Sequence, residues 1–384
     1  MTTIFVQPSP WQRARRVLSG FDPTLLAAMA VLAAIGLVAM YSAGFDHGTR
    51  FVDHARNMAL ALAVSFVVAQ VPPHKMERLA VPLYTAGVLL LVAVALFGIT
   101  RKGATRWLNL GVVIQPSEIM KIAMPLMLAW WFQKRESQLR AVDFLVAALL
   151  LAAPVGLVVR QPDLGTAVLI LTAGLFVIFF AGLSWRIVLP VFVLLGVAIA
   201  ALVLAQEQLC DSGVRWPVLR EYQQHRVCTL LDPARDPLGK GFHILQGMIA
   251  IGSGGVAGKG FMQGTQTHLE FIPERTTDFI FAAFCEEFGF IGVLVLLVAL
   301  SALVLRGLAI AADAPTVFSR LLAGAVTMAF FTYAFVNMGM VSGILPVVGV
   351  PLPFVSYGGT AMVMLGLGLG ILMSVARSRQ LMRS

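Results

Sequence analysis

Long apolar runs separated by short polar punctuation dominate this chain. A bilayer core about 30 Å thick needs roughly 20 apolar residues per helix, and the runs have that length. The pattern predicts spans near 25–43, 57–71, 81–99, 118–132, 143–159, 164–182, 187–205, 279–305, 320–342 and 356–375. The first run follows Arg13, Arg15 and Arg16 and in that respect resembles a signal sequence. It is long, lacks a small-residue cleavage site and precedes further spans, so it reads as an uncleaved first helix. The expected fold is all-α, a polytopic integral membrane protein with about ten transmembrane helices.

Composition agrees with a lipid solvent. Hydrophobic residues make up 59% of the 384 positions, charged residues 12%, and mean hydropathy is +0.87, which excludes a soluble globular protein. The net charge of +9 would suit a nucleic-acid partner, but Lys and Arg sit mostly between apolar segments. Topology and anionic lipid headgroups account for it, and no nucleic acid is expected. With the N-terminus inside, the inner connections carry Lys75, Arg78, Lys134, Arg135, Arg140, Arg186, Arg306 and Arg320. The outer connections carry fewer cations, namely Arg50, Arg56, Arg101, Lys102, Arg106 and Arg160. That asymmetry predicts cytoplasmic termini and puts one long polar loop, 206–277, outside, between the seventh and eighth helices. No repeat or linker divides the chain, so 1–384 is expected to be a single membrane-embedded domain.

Proline and glycine gather at the outer helix ends, in Gln115-Pro116-Ser117, in Gln161-Pro162-Asp163 and in 345–359. Non-helical backbone at membrane depth requires burial or a watery cavity, so an outward-facing cavity is expected. Three cations, Arg101, Lys102 and Arg106, crowd one outer connection against the charge rule. They read either as snorkelling side chains beside the interface anchor Trp107 or as a clamp for an anion, phosphate above all. Ser117 is a candidate cap for the next helix, with Glu118 and Lys121 one turn apart as a structural ion pair or a functional one. The glycines of 252–255 could cradle phosphate, but without a nucleotide-binding strand and helix around them they do not indicate a nucleotide site. Asp278, where the long loop enters an apolar helix, is the strongest catalytic candidate, read against a plain N-cap. Glu286 and Glu287 lie deeper and read as structural, and Asp163 reads as a helix cap.

These residues resemble the SEDS family (shape, elongation, division and sporulation). The resemblance is carried by Lys102-Gly103-Ala104-Thr105-Arg106-Trp107, Gln115 to Lys121, Gln161 to Thr166, Ile249 to Gly255, Pro273 to Phe281, and the run from Asn337 through Pro353-Phe354-Val355-Ser356-Tyr357-Gly358-Gly359. It implies a peptidoglycan glycosyltransferase of cell elongation and rod shape that polymerises lipid II at the periplasmic face of the inner membrane. It implies a class B penicillin-binding protein and other cell-elongation proteins as partners, and Asp278 as the essential acid. Thr276 departs from the family pattern, which has His there, and 208–219 looks like an insertion carrying Cys210.

The leaving group of lipid II is an undecaprenyl pyrophosphate, so cations can stabilise it while Asp278 takes the proton of the attacking hydroxyl. Arg101, Lys102, Arg106 and Lys121, with Glu118 beside them, are the candidate substrate-binding residues, acting directly or through a divalent cation such as Mg2+ or Mn2+. No metal-ligand spacing establishes an ion site. The rival readings are a flippase or transporter for the same lipid and a non-catalytic scaffold. Cys210 and Cys228 share the outer loop and are a candidate disulfide, with two thiols as the alternative, while Cys285 lies in an apolar run.

Overall fold

The computed structural model describes residues 21–46, 48–101, 104–109, 111, 113–210, 214, 216, 221–233, 239–272 and 274–383. The first seven helices are α1 (Pro23–Ala43), α2 (Arg50–Ala69), α3 (Pro73–Phe97), α4 (Pro116–Lys134), α5 (Ala141–Arg160), α6 (Leu164–Phe180) and α7 (Trp185–Leu204). After a run of shorter helices, α8 (Gln206–Leu209), α9 (Glu221–Leu231), α10 (Lys240–Gly254) and α11 (Thr265–His268), come α12 (Ile280–Ala312), α13 (Val317–Val341) and α14 (Gly359–Arg383). Eight of the described helices are long and apolar enough to cross a membrane. The more polar α4 and the 17-residue α6 occupy the places of the two other expected spans.

Helices α4, α6 and α13 pack together at the centre, with α12 against α13 and α1, and α14 along α2. Phe132, Phe318, Phe330, Met120 and Met124 are fully buried among them. Lipid is as apolar as these side chains, so close packing rather than exclusion of water holds the bundle. No residue of α7 is buried, and this helix stands at the periphery.

Two features were not expected from the apolar pattern. The 97–115 connection folds into a three-stranded antiparallel sheet, β1 (Ile99–Arg101), β2 (Ala104–Asn109) and β3 (Val113–Ile114), with Thr100 opposite Thr105 and Leu108 opposite Ile114. The second is a break in α12. At 33 residues it would be about 50 Å long if straight, well beyond one bilayer core. It kinks at Gly289, where φ is 60°. The segment after α10 enters the break: Phe290 N–H donates to Gly255 O at 3.0 Å, Lys259 N–H to Glu286 O at 3.0 Å and Gly260 N–H to Glu287 O at 3.0 Å. Backbone groups freed by the kink are thus satisfied by protein, as the hydrocarbon region demands. Gly254 serves this packing, since a Cβ there would meet Cys285 O at 2.1 Å.

Candidate active site

One end of the bundle collects the polar residues. There α1 ends, α2, α4, α6, α12 and α14 begin, and the stretch 342–358 runs between α13 and α14. The N-cap position of α12 is Phe279, so Asp278 sits one residue before it, outside the cap. Asn337 of α13 donates from Nδ2 to Asp278 O at 3.0 Å and to Val350 O at 2.7 Å, fixing the 278 backbone against the 348–350 stretch. An Asp278 carboxylate oxygen lies only 3.3 Å from where a Cβ of Gly349 would stand. A larger residue at 349, where φ is 73°, would press on the carboxyl.

The same stretch touches the start of α6 on its other side, with Val348 O 2.6 Å from the position of a Cβ on Gly165. Two residues before Gly165, Asp163 caps α6 by accepting from Thr166 N–H at 3.3 Å. Arg106 of β2 donates from Nη2 to Pro162 O at 2.7 Å and brings Nε to 3.7 Å from Asp163. Gln115 bridges Asp163 and Ser117, at 3.2 Å from each. Asp278 and the Arg106–Asp163 pair therefore flank one short stretch of backbone. Lys121 lies deeper: its Nζ donates to Glu118 Oε1 at 2.6 Å and stands 5.4 Å from the Tyr333 ring centroid, one turn before Asn337 on α13. Both members of this pair are buried, so a side chain expected at the outer rim is enclosed between helices.

Ser117 does not cap α4. The cap position is Gln115, Pro116 opens the helix, and Ser117 instead accepts from the Gln115 amide. Proline suits that first position because its missing N–H is not needed there. Lys102 lies outside the described residues, and so does the side chain of Arg101. Glu286 is saturated by Lys259, Thr265, Gln266 and Thr267, and Glu287 by Ser42 and His268. A buried carboxylate so bonded holds structure together. Among the described residues no three His, Cys, Asp or Glu side chains converge as a metal cage.

Sequence reasoning singled out no role for Arg50, Arg275, Tyr333 or Tyr357. Arg275, 3% exposed, donates from Nε to Ala43 O at 3.0 Å and pairs with Asp46. Arg50 donates to Thr276 and lies 5.7 Å from the Tyr357 ring centroid. The available signal was a cation at an outer helix end, which charge counting alone reads as topology.

A family model described as cell cycle protein, FtsW/RodA/SpoVE, matches residues 23–381. The chain belongs to this family. Among SEDS relatives, the peptidoglycan glycosyltransferase MrdB of Escherichia coli K12 is 46% identical over 94% of this chain and 95% of its own length. The peptidoglycan glycosyltransferase RodA of Treponema pallidum is 31% identical over 95% of this chain and 99% of its own. A chain solved within a peptidoglycan synthase complex, described as coordinating polymerization and crosslinking, superposes with a TM-score of 0.75 at 32% identity, covering 94% of this chain and 98% of that one. The rod shape determining protein RodA of Thermus thermophilus gives 0.67 at 28% identity, covering 94% of this chain and 97% of that one.

Proposed function

We infer that this chain is a peptidoglycan glycosyltransferase of cell elongation, that it polymerises lipid II, and that Asp278 is its general base. The enzyme class rests on identity to the SEDS glycosyltransferases over nearly the whole chain. The observation that carries the catalytic assignment is the placement of Asp278 before the cap of α12, its backbone held by Asn337 and its carboxyl against Gly349. A carboxylate merely capping a helix would occupy the cap position instead.

In the proposed reaction a sugar hydroxyl attacks the anomeric carbon of a lipid-linked disaccharide. The bond from that carbon to the pyrophosphate oxygen breaks, and the hydroxyl proton passes to the Asp278 carboxylate. The bonding electrons leave with undecaprenyl pyrophosphate, whose charge needs nearby cations. Arg106 is the leading candidate, because Pro162 O and Asp163 hold its guanidinium in place while 28% of the side chain stays exposed to meet a phosphate oxygen. Arg101 and Lys102 share its connection and are proposed to extend the cationic surface, with or without a divalent ion. Glu118 is proposed to hold Lys121 in place beneath them.

The site end is proposed to face the periplasm, with both chain termini cytoplasmic. A class B penicillin-binding protein is proposed as the crosslinking partner, in line with the synthase complex that the fold matches. The deciding experiment reconstitutes the full chain and that partner with labelled lipid II. Glycan strands made by the native chain and lost in Asp278→Asn support the assignment; lipid movement across the bilayer without polymer would favour a flippase.

A further inference from the structure

The turn that carries Asp278 is anchored from two sides by two different cations. Arg275 fixes its beginning to the end of α1, through Ala43 O and Asp46, with its guanidinium 5.4 Å from the Phe45 ring centroid. The other anchor is Arg50, the first residue of α2. From Nη1 it donates to Thr276 Oγ1, two residues before Asp278, while its guanidinium faces Tyr357. Tyr357 N–H in turn donates to Thr276 O at 2.9 Å. Thr276 is fully buried and held at both its hydroxyl and its carbonyl.

One guanidinium thus joins three segments: the start of α2, the Asp278 turn, and the end of the stretch whose Gly349 touches the Asp278 carboxyl. Inside the turn itself, Thr277 N–H and Phe279 N–H both donate to Glu274 O, which closes the loop locally but does not tie it to its neighbours. The distance from the Asp278 carboxyl to an attacking hydroxyl therefore depends on the outside anchors. An arginine can bond through one edge and stack through its face at once, which the compact ammonium of lysine cannot match.

We propose that Arg50 is a positioning residue for glycosyl transfer, acting through Thr276 to hold Asp278 in reach of the acceptor hydroxyl. This rests on Asp278 being the base. Misplacing a reacting group by about 1 Å costs on the order of 100-fold in rate, so the expected loss falls on turnover rather than on substrate binding.

The test uses the full chain with its penicillin-binding partner in liposomes, measuring initial polymer rate against lipid II concentration and melting of the same samples. Arg50→Ala should lower kcat roughly 10- to 100-fold with KM changed by less than about threefold. Thr276→Val, which keeps the shape and removes the acceptor, should reproduce most of that loss. Arg50→Lys and Thr276→Ser should each recover a substantial part. The double variant Arg50→Ala/Thr276→Val should be no worse than the poorer single variant, since both remove one interaction. Arg56→Gln, on the same helix and 74% exposed, serves as the surface-charge control and should keep the native rate.

Native kcat in both Arg50→Ala and Thr276→Val, with Asp278→Asn inactive, would overturn the positioning role and leave the base assignment standing. Active Asp278→Asn would instead remove the base assignment itself. A rise in KM alone for Arg50→Ala would make Arg50 a substrate contact and also overturn the proposal. So would a loss that vanishes once rates are divided by the folded fraction, because the residue would then be only structural.

Discussion

A single atom change at Asp278 separates a base from a cap. Asn can accept a hydrogen bond at a helix start but cannot take a proton, so Asp278→Asn should abolish strand synthesis while the protein still inserts and melts within a few degrees of the native chain. Near-native polymer yield would withdraw the assignment. Two of the proposed cations, Arg106 and Lys121, call for different tests because their surroundings differ. The Arg106 side chain is 28% exposed, and Arg106→Ala should weaken lipid II use with little change in melting. Lys121 is enclosed with Glu118, and cutting one member of such a pair strands a buried charge at a cost of about 3–5 kcal/mol. Lys121→Ala should therefore melt early whatever its role in the reaction. The Glu118→Gln/Lys121→Met double variant removes both charges and should recover most of the melting temperature. If it also recovers the native rate at low lipid II, the pair is purely structural. Neighbours such as Tyr333, Asn337 and Gly349 come from distant parts of the chain. The sequence shows Asp278 at a boundary but not what lies across from it, and it shows Arg50 only as a charge near a helix end.

At the scale of elements, the spans were legible because a bilayer imposes length and hydropathy on each one separately. The break in α12 was not, because the apolar run continues through it and the interruption shows only in the packing of 255–260 against Gly289 and its neighbours. A Cβ at Gly289 would stand 2.3 Å from Gly258 N, on backbone with φ of 60°. Gly289→Ala should thus cost at least about 1 kcal/mol and displace the 255–260 segment, read as a lower melting temperature in detergent with faster proteolysis of that segment. The 97–115 sheet escaped the reading for a related reason: its strands are two to six residues long and interleave charges with apolar positions, so no run marks them. At the opposite end of the bundle, Asp22 caps α1 through Thr24 and Leu25 and pairs with Arg306 at 2.6 Å. Burial works to raise the Asp22 carboxyl, but the Arg306 bond and the helix-start amides outweigh it and hold it below its ordinary value. A depressed pKa means stability that is present above the unfolded value near 3.8 and is lost as pH falls through the folded one. Melting should therefore drop below about pH 4 more in the native chain than in Asp22→Asn, whose cap survives without a titrating group.

At the scale of the whole molecule, sidedness connects the chemistry to the membrane. Cys210 and Cys228 form a disulfide, their Cα atoms 5.6 Å apart and 18 positions apart in sequence, linking the end of α8 to α9 on the site side of the bundle. A bond of this kind persists on an oxidising face and is reduced on a cytosolic one, so its survival in native membranes would support a periplasmic face for the Asp278 end. Closing a loop of about this size is worth on the order of 3 kcal/mol in the chain-entropy model, acting on α8 and α9 and not on the distant α4–α6–α13 core. Cys285 is buried in α12 and should remain a thiol. Alkylation of intact cells followed by non-reducing mass spectrometry should recover the linked peptides. After mild reduction, a membrane-impermeant reagent added from outside should label both cysteines and leave Cys285 untouched. Free thiols at 210 and 228 would rule the bridge out, and labelling only from the cytoplasmic side in inverted vesicles would reverse the orientation and move the proposed transfer away from the periplasm. The paired serine variant should keep polymerase activity, because the bridge joins α8 to α9 and not to the Asn337 and Gly349 contacts that hold Asp278, and should lose protease resistance chiefly between α8 and α10.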